Sequence, residues 1–368
     1  MINVFGSKVS KRALEIISKS IENQWLGMGP NVKDFENNMI KRLNLSNFLL
    51  VDSGSNALFM AVKLLNLPPN SEIIVPSFTW VSCAQAVILA GHRPIFCDVD
   101  LDSHNVTADL IKNQITEKTA AIMVVHYAGL PVDMDSIIEL GYPIIEDAAH
   151  AVDSFYKGKA CGSLGDVGIY SFDAVKNLTM GEGGGLTTKK EELANRARTL
   201  RYCGIGKSGF EASTHGKNRW WEYDIKEVFI KMNPSDISAA IGLEQLENLD
   251  DLQSYRKEIW DIYQKEFVDL NWVTTPVNAL DHSTHSYFTY TIRVPQRDNF
   301  AKFLFENGIY STLRYHPLHL NDIYAYHKKL KNSEILNEEA ISIPLHPNLS
   351  SENIDYIIKT IKKFKQFI

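Results

Sequence analysis

The sequence predicts an α/β protein in which a large domain with a mainly parallel β-sheet is followed by a smaller α+β domain. Short apolar runs typical of buried strands alternate with helical patterns over much of the chain, as in parallel sheets. Polar side chains suited to ligand binding follow several of these runs, where the carboxyl edge of such a sheet would lie. After Pro276 the pattern changes to a strand, a helix, a second strand and a closing helix, which indicates a second domain.

The large domain is expected to begin with an amphipathic helix over residues 10–23 and a second helix near residues 32–43. An extended, glycine-bearing segment joins them. Strand-like runs then follow at residues 48–51, 72–75, 94–98, 120–126, 143–146, 167–172 and 186–188. Helical patterns separate most of these runs, for example at residues 57–65, 82–90 and 133–140.

Residues 202–232 contain several glycines and are interpreted as a long functional loop. Pro234, with Ser235 or Asp236 as a cap, then starts a helix to about Leu249. The remaining elements are expected to be helix 251–269, strand 287–294, helix 296–307, strand 309–313 and helix 351–365. We therefore assign residues 1–249 to the large domain and residues 250–368 to the small domain.

Composition excludes several classes of protein. The 368 residues include 38 Lys+Arg and 44 Asp+Glu, a formal net charge of −6, and no basic tract indicates a nucleic-acid partner. No apolar run approaches the roughly 20 residues of a membrane span, and the N-terminus lacks the pattern of a secretory signal. We expect a cytoplasmic protein that does not bind membranes. The four cysteines are widely spaced without a C-x-x-C pair, so we expect free thiols and no metal site.

The stretch from Gly168 to Gly185 organises the candidate site. An apolar run ends at Ser171, Lys176 follows five residues later, and glycines 181 and 183–185 close the turn. Glycines permit close backbone approach, so this loop could surround a cofactor while it holds one amine in place. Most lysines are simply solvated, and Lys176 departs from that expectation only if partners lie nearby.

Those partners follow other predicted strands. Asp147 and His150 come after the apolar run at residues 143–146, and Trp80 follows the run at residues 72–75. Leu49 to Leu58 indicates a strand, a small-residue turn and a helix start, which would aim N–H groups at an anion. A phosphate site, a flat aromatic, a carboxylate and a lysine together suit pyridoxal phosphate.

Four short sequence motifs, in the order in which they occur in this chain, resemble those of the sugar-nucleotide aminotransferase family of the DegT/StrS type. They are Pro76-Ser77-Phe78-Thr79-Trp80, His126-Tyr127-Ala128-Gly129, Glu146-Asp147-Ala148-Ala149-His150-Ala151 and Lys176-Asn177-Leu178-Thr179. Within the family they are most similar to the branch that aminates UDP-4-keto-arabinose. The resemblance covers nearly the whole chain and weakens between Gly204 and Met232.

The resemblance implies an aspartate-aminotransferase-like fold, fold type I of the pyridoxal-phosphate enzymes. The implied cofactor is pyridoxal 5′-phosphate, which alternates with pyridoxamine 5′-phosphate. Lys176 would form the Schiff base and shuttle a proton, and Asp147 would keep the ring nitrogen protonated. The other implied cofactor contacts are Gly54, Ser55, Asn56, Trp80, His150, Ser171 and Asn233, with Arg219, Tyr315 and His316 as candidate substrate contacts. Asn233 would reach the partner's phosphate, which makes the protein a homodimer with shared active sites.

The implied reaction moves the amino group of L-glutamate, which becomes 2-oxoglutarate, to the 4-keto carbon of a nucleotide-linked sugar. The sugar would be a dTDP-, UDP- or GDP-4-keto-6-deoxyhexose or a 4-keto-pentose, and the product would serve cell-surface polysaccharide such as lipopolysaccharide O-antigen. A 3-keto sugar and a non-catalytic regulator that keeps the fold are the alternatives. The related sugar 3-dehydratases carry a histidine in place of the Schiff-base lysine, so Lys176 argues against that chemistry.

Two further segments resemble known sites without matching them. Residues 314–319 bring His316 and His319 close in sequence, but no third ligand is spaced to complete a metal site. Residues 162–168 resemble a dinucleotide-binding loop, but a strand follows them where that loop requires a helix. We interpret both as false matches.

Overall fold

The computed structural model describes residues 1–206, 219 and 221–367. The predicted functional loop at residues 202–232 is thus described only in part, because residues 207–218 and 220 lie outside these ranges. None of the helices in the described ranges has both the length and the apolar run needed to span a lipid bilayer.

Eight of the nine strand-like runs predicted from the sequence correspond to strands, and the described residues contain four further short strands that were not predicted. In chain order they are β1 (Leu49–Val51), β2 (Glu72–Pro76), β3 (Arg93–Cys97), β4 (Thr119–Val125), β5 (Ile144–Asp147), β6 (Phe155–Tyr156), β7 (Lys159–Ala160), β8 (Val167–Ser171), β9 (Gly184–Thr187), β10 (Ser283–Thr284), β11 (Tyr290–Arg293) and β12 (Ala340–Ile343).

The α-helices lie between and around these strands. They are α1 (Arg12–Glu22), α2 (Pro30–Leu43), α3 (Gly54–Leu64), α4 (Ser82–Leu89), α5 (Ala108–Lys112), α6 (Met134–Ile138), α7 (Glu191–Arg201), α8 (Asp236–Glu247), α9 (Leu249–Phe267), α10 (Arg297–Glu306), α11 (Lys331–Glu339) and α12 (Ser351–Lys363). As predicted, Ser235 caps α8, because its side chain accepts a hydrogen bond from the Ser238 N–H.

The main sheet has seven strands in the described residues, in the order β1-β9-β8-β5-β4-β2-β3. Strands β8, β5, β4, β2 and β3 run parallel, whereas β9 is antiparallel to both of its neighbours. The parallel strands β2 and β8 are buried along their whole length, which explains their nearly continuous apolar sequence. Their carboxyl ends lie at one edge of the sheet, and the predicted site residues follow them there.

The C-terminal region has its own apolar core. The antiparallel pair β11 and β12 packs with α9, α10 and α12 around Trp260, Phe300 and Ile357. We propose that the two domains meet near residue 249, where α9 begins. The predicted strand at residues 309–313 is wrong, because Ile309 and Thr312 form only isolated bridges, to Ile2 and Ser342. The real partner of β11 is β12, which the sequence analysis missed together with α11.

Candidate active site

A cavity of about 420 Å³ opens at the carboxyl edge of the main sheet. Both the large domain and the C-terminal region contribute to its walls. Most of the predicted site residues line it: Gly54, Ser55, Trp80, Asp147, His150, Ser171, Lys176 and Tyr315. Residues from five separate stretches of the chain therefore meet at one place.

Lys176 lies on the loop between β8 and β9, and its side chain is partly open to the cavity. Its Nζ lies 4.8 Å from the centroid of the Phe288 ring. Burial, and after it the nearby positive charge of Arg314, lower the pKa of Lys176 to about 8, although Asp147 opposes the change. Roughly a tenth of the amine is then neutral at pH 7, far more than for an ordinary lysine.

Asp147 ends β5 and is buried. Its Oδ1 accepts a hydrogen bond from the Ala149 N–H at 2.9 Å, and its Oδ2 accepts one from the Cys83 thiol at 3.2 Å. Burial raises the pKa of Asp147, whereas these two hydrogen bonds and the positive charge of Lys176 lower it. The carboxylate thus has one donor on each oxygen.

The N-terminus of α3 faces the cavity next to Ser171. A Cβ at Gly54 would come within 2.8 Å of Ser171 Cβ, so the helix approaches the end of β8 this closely only because residue 54 is glycine. Gly184 is equally constrained, because a Cβ there would lie 2.2 Å from the Ser53 carbonyl oxygen. The helix dipole favours an anion at such a terminus.

Asn56 and Asp52 form a hydrogen bond with each other beside the N-terminus of α3. The Asn56 N–H donates to Ser53 Oγ at 3.2 Å, which caps the helix, and its side-chain amide donates to Asp52 Oδ1 at 2.8 Å. Gly54 and Ser55 line the cavity, whereas Asn56 does not. The structure therefore brings together two of the three predicted backbone donors.

His150 is held between aromatic rings. It stacks on Phe288 with centroids 4.1 Å apart, and its Nε2 lies 3.0 Å from the Tyr315 hydroxyl. Burial and the positive charges of Lys176 and Arg314 lower the pKa of His150 well below its usual value, so the ring is neutral. Trp80 is 52% exposed, with its ring 5.5 Å from that of Tyr315, and can stack on a ligand within the cavity.

Besides Asn56, three predicted site residues do not line the cavity in this chain. Arg219 is exposed and pairs with Glu222, and His316 is exposed with its Nδ1 2.9 Å from Asn337 Oδ1. Asn233 precedes α8, and its buried Oδ1 has no hydrogen-bond partner among the described residues.

Sequence reasoning missed Phe5, Phe288 and Arg314, which also surround the site. The Arg314 guanidinium lies 3.4 Å from the centroid of Phe5 and 5.0 Å from that of Phe288. It donates to the Tyr315 hydroxyl at 3.2 Å, and no acidic side chain of the described residues pairs with it. Because Arg314 precedes the predicted contact Tyr315, the sequence could have indicated it as a site residue. No sequence pattern indicates Phe5 as one.

The two segments that we interpreted as false matches have other contacts in the structure. The backbone N–H groups of Gly162, Leu164 and Gly165 donate to the buried carboxylate of Glu146, so this glycine-rich segment surrounds an internal anion. The Nδ1 of His319 lies 2.6 Å from Ser77 Oγ and its Nε2 lies 3.5 Å from Glu334 Oε1, whereas the Nδ1 of His316 lies 2.9 Å from Asn337 Oδ1. No cluster of three or more metal-binding side chains occurs in the described part of the chain.

Sequence comparison identifies relatives over almost the whole chain. The model of the DegT/DnrJ/EryC1/StrS aminotransferase family matches residues 8–362. The chain is 34% identical over 372 residues to the dTDP-4-dehydro-2,3,6-trideoxy-D-glucose 4-aminotransferase of Saccharopolyspora spinosa, which covers 99% of this chain and 96% of that protein. It is 32% identical over 370 residues to the spore coat polysaccharide biosynthesis protein SpsC of Bacillus subtilis, covering 96% and 94% of the two chains.

Solved structures agree with this comparison. The aminotransferase TlmJ from Streptoalloteichus hindustanus has a TM-score of 0.94 and 35% identity, covering 100% of this chain and 99% of its own. The sugar aminotransferase CalS13 from Micromonospora echinospora has a TM-score of 0.91 and 25% identity, covering 99% and 100%. These similarities confirm the predicted α/β fold of the aspartate-aminotransferase type.

Proposed function

Because the chain belongs to the DegT/DnrJ/EryC1/StrS aminotransferase family, we propose that it moves the amino group of L-glutamate to the 4-keto carbon of a nucleotide-linked sugar. The coarser activity follows from the family: the protein is a pyridoxal-phosphate-dependent sugar aminotransferase. The observation that carries the proposal is that Lys176, Asp147 and the N-terminus of α3 share one cavity.

The residues of the cavity fit the cofactor. The α3 terminus with Gly54, Ser55 and Ser171 suits the phosphate, and a side chain at Gly54 would disrupt this cradle. Trp80 offers an exposed aromatic face for the ring, and His150 lines the same cavity. When bound, pyridoxal phosphate supplies an aldehyde carbon that takes up the amino group and a protonated ring that withdraws electrons.

Two side chains of this protein would then do the acid and base work. Lys176 would bind the cofactor covalently, and its Nζ would afterwards carry a proton, which requires a neutral amine. The lowered pKa of Lys176, caused mainly by burial, supplies part of the amine in that form. Asp147 would keep the ring nitrogen protonated, and its two fixed hydrogen bonds hold the carboxylate in one orientation for this task.

The 4-keto position is supported by the relative from Saccharopolyspora spinosa, whose name describes amination at carbon 4 of a dTDP-linked sugar. The name of SpsC supports a product used in surface polysaccharide. A 3-keto sugar is the alternative substrate. The nucleotide, the lipopolysaccharide or O-antigen pathway and the cytoplasmic location remain predictions.

Glutamate as donor is supported by Arg314. The residue is 9% exposed, its guanidinium lies on the Phe5 ring, and it lines the same cavity as Lys176. A buried guanidinium without an acidic partner favours an anionic ligand, because its positive charge is otherwise uncompensated. The carboxylates of glutamate and of 2-oxoglutarate have the charge and geometry to fill that role.

We also propose a homodimer in which Asn233 contributes to the partner's site. One observation supports it: apolar side chains just before Asn233 are exposed. Tyr223, Ile225 and Val228 are each more than half exposed, and a second copy of the chain would cover them.

The test is a transfer assay with ¹⁵N-labelled glutamate and a panel of keto-sugar nucleotides, with Lys176→Ala as the control. The panel holds dTDP-, UDP- and GDP-4-keto-6-deoxyhexoses, a UDP-4-keto-pentose and a 3-keto hexose. We expect ¹⁵N on carbon 4 of at least one product, located by NMR. Label on carbon 3 would establish the alternative substrate. A protein without cofactor absorbance and without transfer would instead be a regulator.

A further inference from the structure

Cys83 has a buried thiol that contacts the carboxylate of Asp147, the group proposed to face the ring nitrogen of the cofactor. It is the second residue of α4, and its Sγ lies 3.2 Å from Asp147 Oδ2 and 3.5 Å from Thr79 Oγ1. The side chain is fully buried beneath the cavity. From the sequence alone we expected only a free thiol at this position.

The thiol is a donor in this contact. Burial raises the pKa of Cys83 well above its usual value, and the negative charge of Asp147 raises it further, so the group keeps its proton. Since an S–H group is a weak donor, it can fix the direction of a carboxylate while withdrawing little of the charge on it. A hydroxyl or an N–H group would withdraw more.

The position of α4 links the two ends of the proposed cofactor site. Ser82, the first residue of α4, lies 2.6 Å from Ser55 through their hydroxyl oxygens, and Ser55 belongs to the proposed phosphate cradle. The next residue, Cys83, contacts the carboxylate proposed to face the ring nitrogen. One turn of helix therefore fixes the cradle and the carboxylate relative to each other.

We infer that Cys83 is a positioning residue for the transamination, which holds Asp147 Oδ2 by a weak hydrogen bond so that the carboxylate faces the ring nitrogen of the cofactor. The inference rests on the proposed role of Asp147. Cys83 itself touches neither substrate nor cofactor in this account. The Ala149 N–H holds the other oxygen, and together the two donors fix the carboxylate plane.

The hydrogen bond can be tested by infrared spectroscopy of the S–H stretching band, in the cofactor-loaded and the cofactor-free protein. The band removed by Cys83→Ala should lie at lower frequency than the band removed by Cys97→Ala, which deletes another fully buried thiol away from the cavity. Asp147→Asn should move the Cys83 band to higher frequency, because an amide is a weaker acceptor. A Cys83 band that Asp147→Asn leaves unchanged would overturn the inference.

The functional consequence is tested with the same variants. Cys83→Ala should slow the glutamate half-reaction by roughly two- to tenfold, the range expected for one weak hydrogen bond. Cys83→Ser retains a donor and should recover most of that loss, whereas Cys97→Ala should have no effect. The ¹⁵N shift of cofactor labelled at the ring nitrogen should change in Asp147→Asn and in Cys83→Ala, but not in Cys97→Ala.

The outcomes separate this inference from the proposed function. If the ¹⁵N shift of the cofactor ring nitrogen changes in Asp147→Asn but not in Cys83→Ala, the positioning role of Cys83 is wrong and the role of Asp147 stands. If the ring nitrogen does not respond to Asp147→Asn, the proposed role of Asp147 fails and the inference fails with it.

Discussion

Replacing Gly54 with alanine tests whether the α3 terminus binds the cofactor phosphate. The added Cβ would lie 2.8 Å from Ser171 Cβ, whereas ordinary contact begins at 3.4 Å, so the helix start and the end of β8 must separate by about 0.6 Å. The Ser171 Cα would also be only 3.3 Å away, so a change of the Ser171 rotamer cannot relieve the contact. A shift of that size would lengthen the hydrogen bonds from Gly54 and Ser55 to the phosphate.

The expected cost is mainly in cofactor affinity. Loss of one charge-assisted hydrogen bond of about 1.5–3 kcal/mol would weaken binding on the order of 10- to 100-fold. Stability should change less, because overpacking of about 1–3 kcal/mol is partly offset by up to about 1 kcal/mol from the better helix propensity of alanine.

The assay is an absorbance titration of the cofactor-free protein with pyridoxal phosphate, accompanied by thermal unfolding of the same samples. Gly27→Ala is the matched control, because a Cβ at Gly27 would meet no atom within 4 Å. A Gly54→Ala protein that binds the cofactor with the wild-type dissociation constant would refute the assignment of the cradle.

Three further predictions concern the reacting groups and the dimer. The folded-state pKa of Lys176, about 8, lies below its ordinary 10.5, so the unfolded chain binds more protons between these values. In the cofactor-free protein the free energy of unfolding should therefore rise from pH 8 to 10.5, by up to about 3 kcal/mol more than in Lys176→Met. Urea unfolding of both proteins across this pH range measures the difference. Parallel curves of unfolding free energy against pH would contradict the prediction. Asp147→Asn should slow the glutamate half-reaction on the order of 10²-fold or more with the fold intact by circular dichroism, and an unchanged rate would assign the task to another acid. Mixing inactive Lys176→Ala with inactive Asn233→Glu protomers should restore part of the activity, because one site of each mixed dimer is then intact; mixed dimers without activity would place Asn233 in the site of its own chain.

The parts of the site that follow strand ends could be predicted from sequence. Asp147 and Lys176 each come after an apolar run, and parallel strands bring such positions to one edge whatever the helices between them do. The same logic explains why Ser171 and the start of α3 meet. Local capping rules likewise predicted a cap for α8 at Ser235 or Asp236, and Ser235 is the cap in the structure.

The parts that depend on tertiary packing could not be predicted. Phe5 enters the cavity because the N-terminal segment pairs Ile2 with Ile309, a contact that no periodicity indicates. Asn56 stays a predicted phosphate contact, and the structure adds that its N–H donates to the cap at Ser53, which the sequence did not indicate. The contact of Cys83 with Asp147 joins residues 64 positions apart in the chain.

The predicted strand at residues 309–313 shows a different limit. Its apolar pattern was compatible with a strand, but the neighbouring position beside β11 is occupied by β12. Strand pairing is decided by the competition among all available segments, and a single window of sequence does not contain that information.

The central claim is that Lys176 is the residue that carries pyridoxal phosphate. Borohydride reduction of the purified, cofactor-loaded protein, followed by peptide mapping by mass spectrometry, measures this directly. The account predicts the reduced cofactor adduct on the peptide that contains Lys176, and its loss in Lys176→Ala. An adduct on a different lysine of the wild-type protein, or one that persists in Lys176→Ala together with turnover, would contradict it.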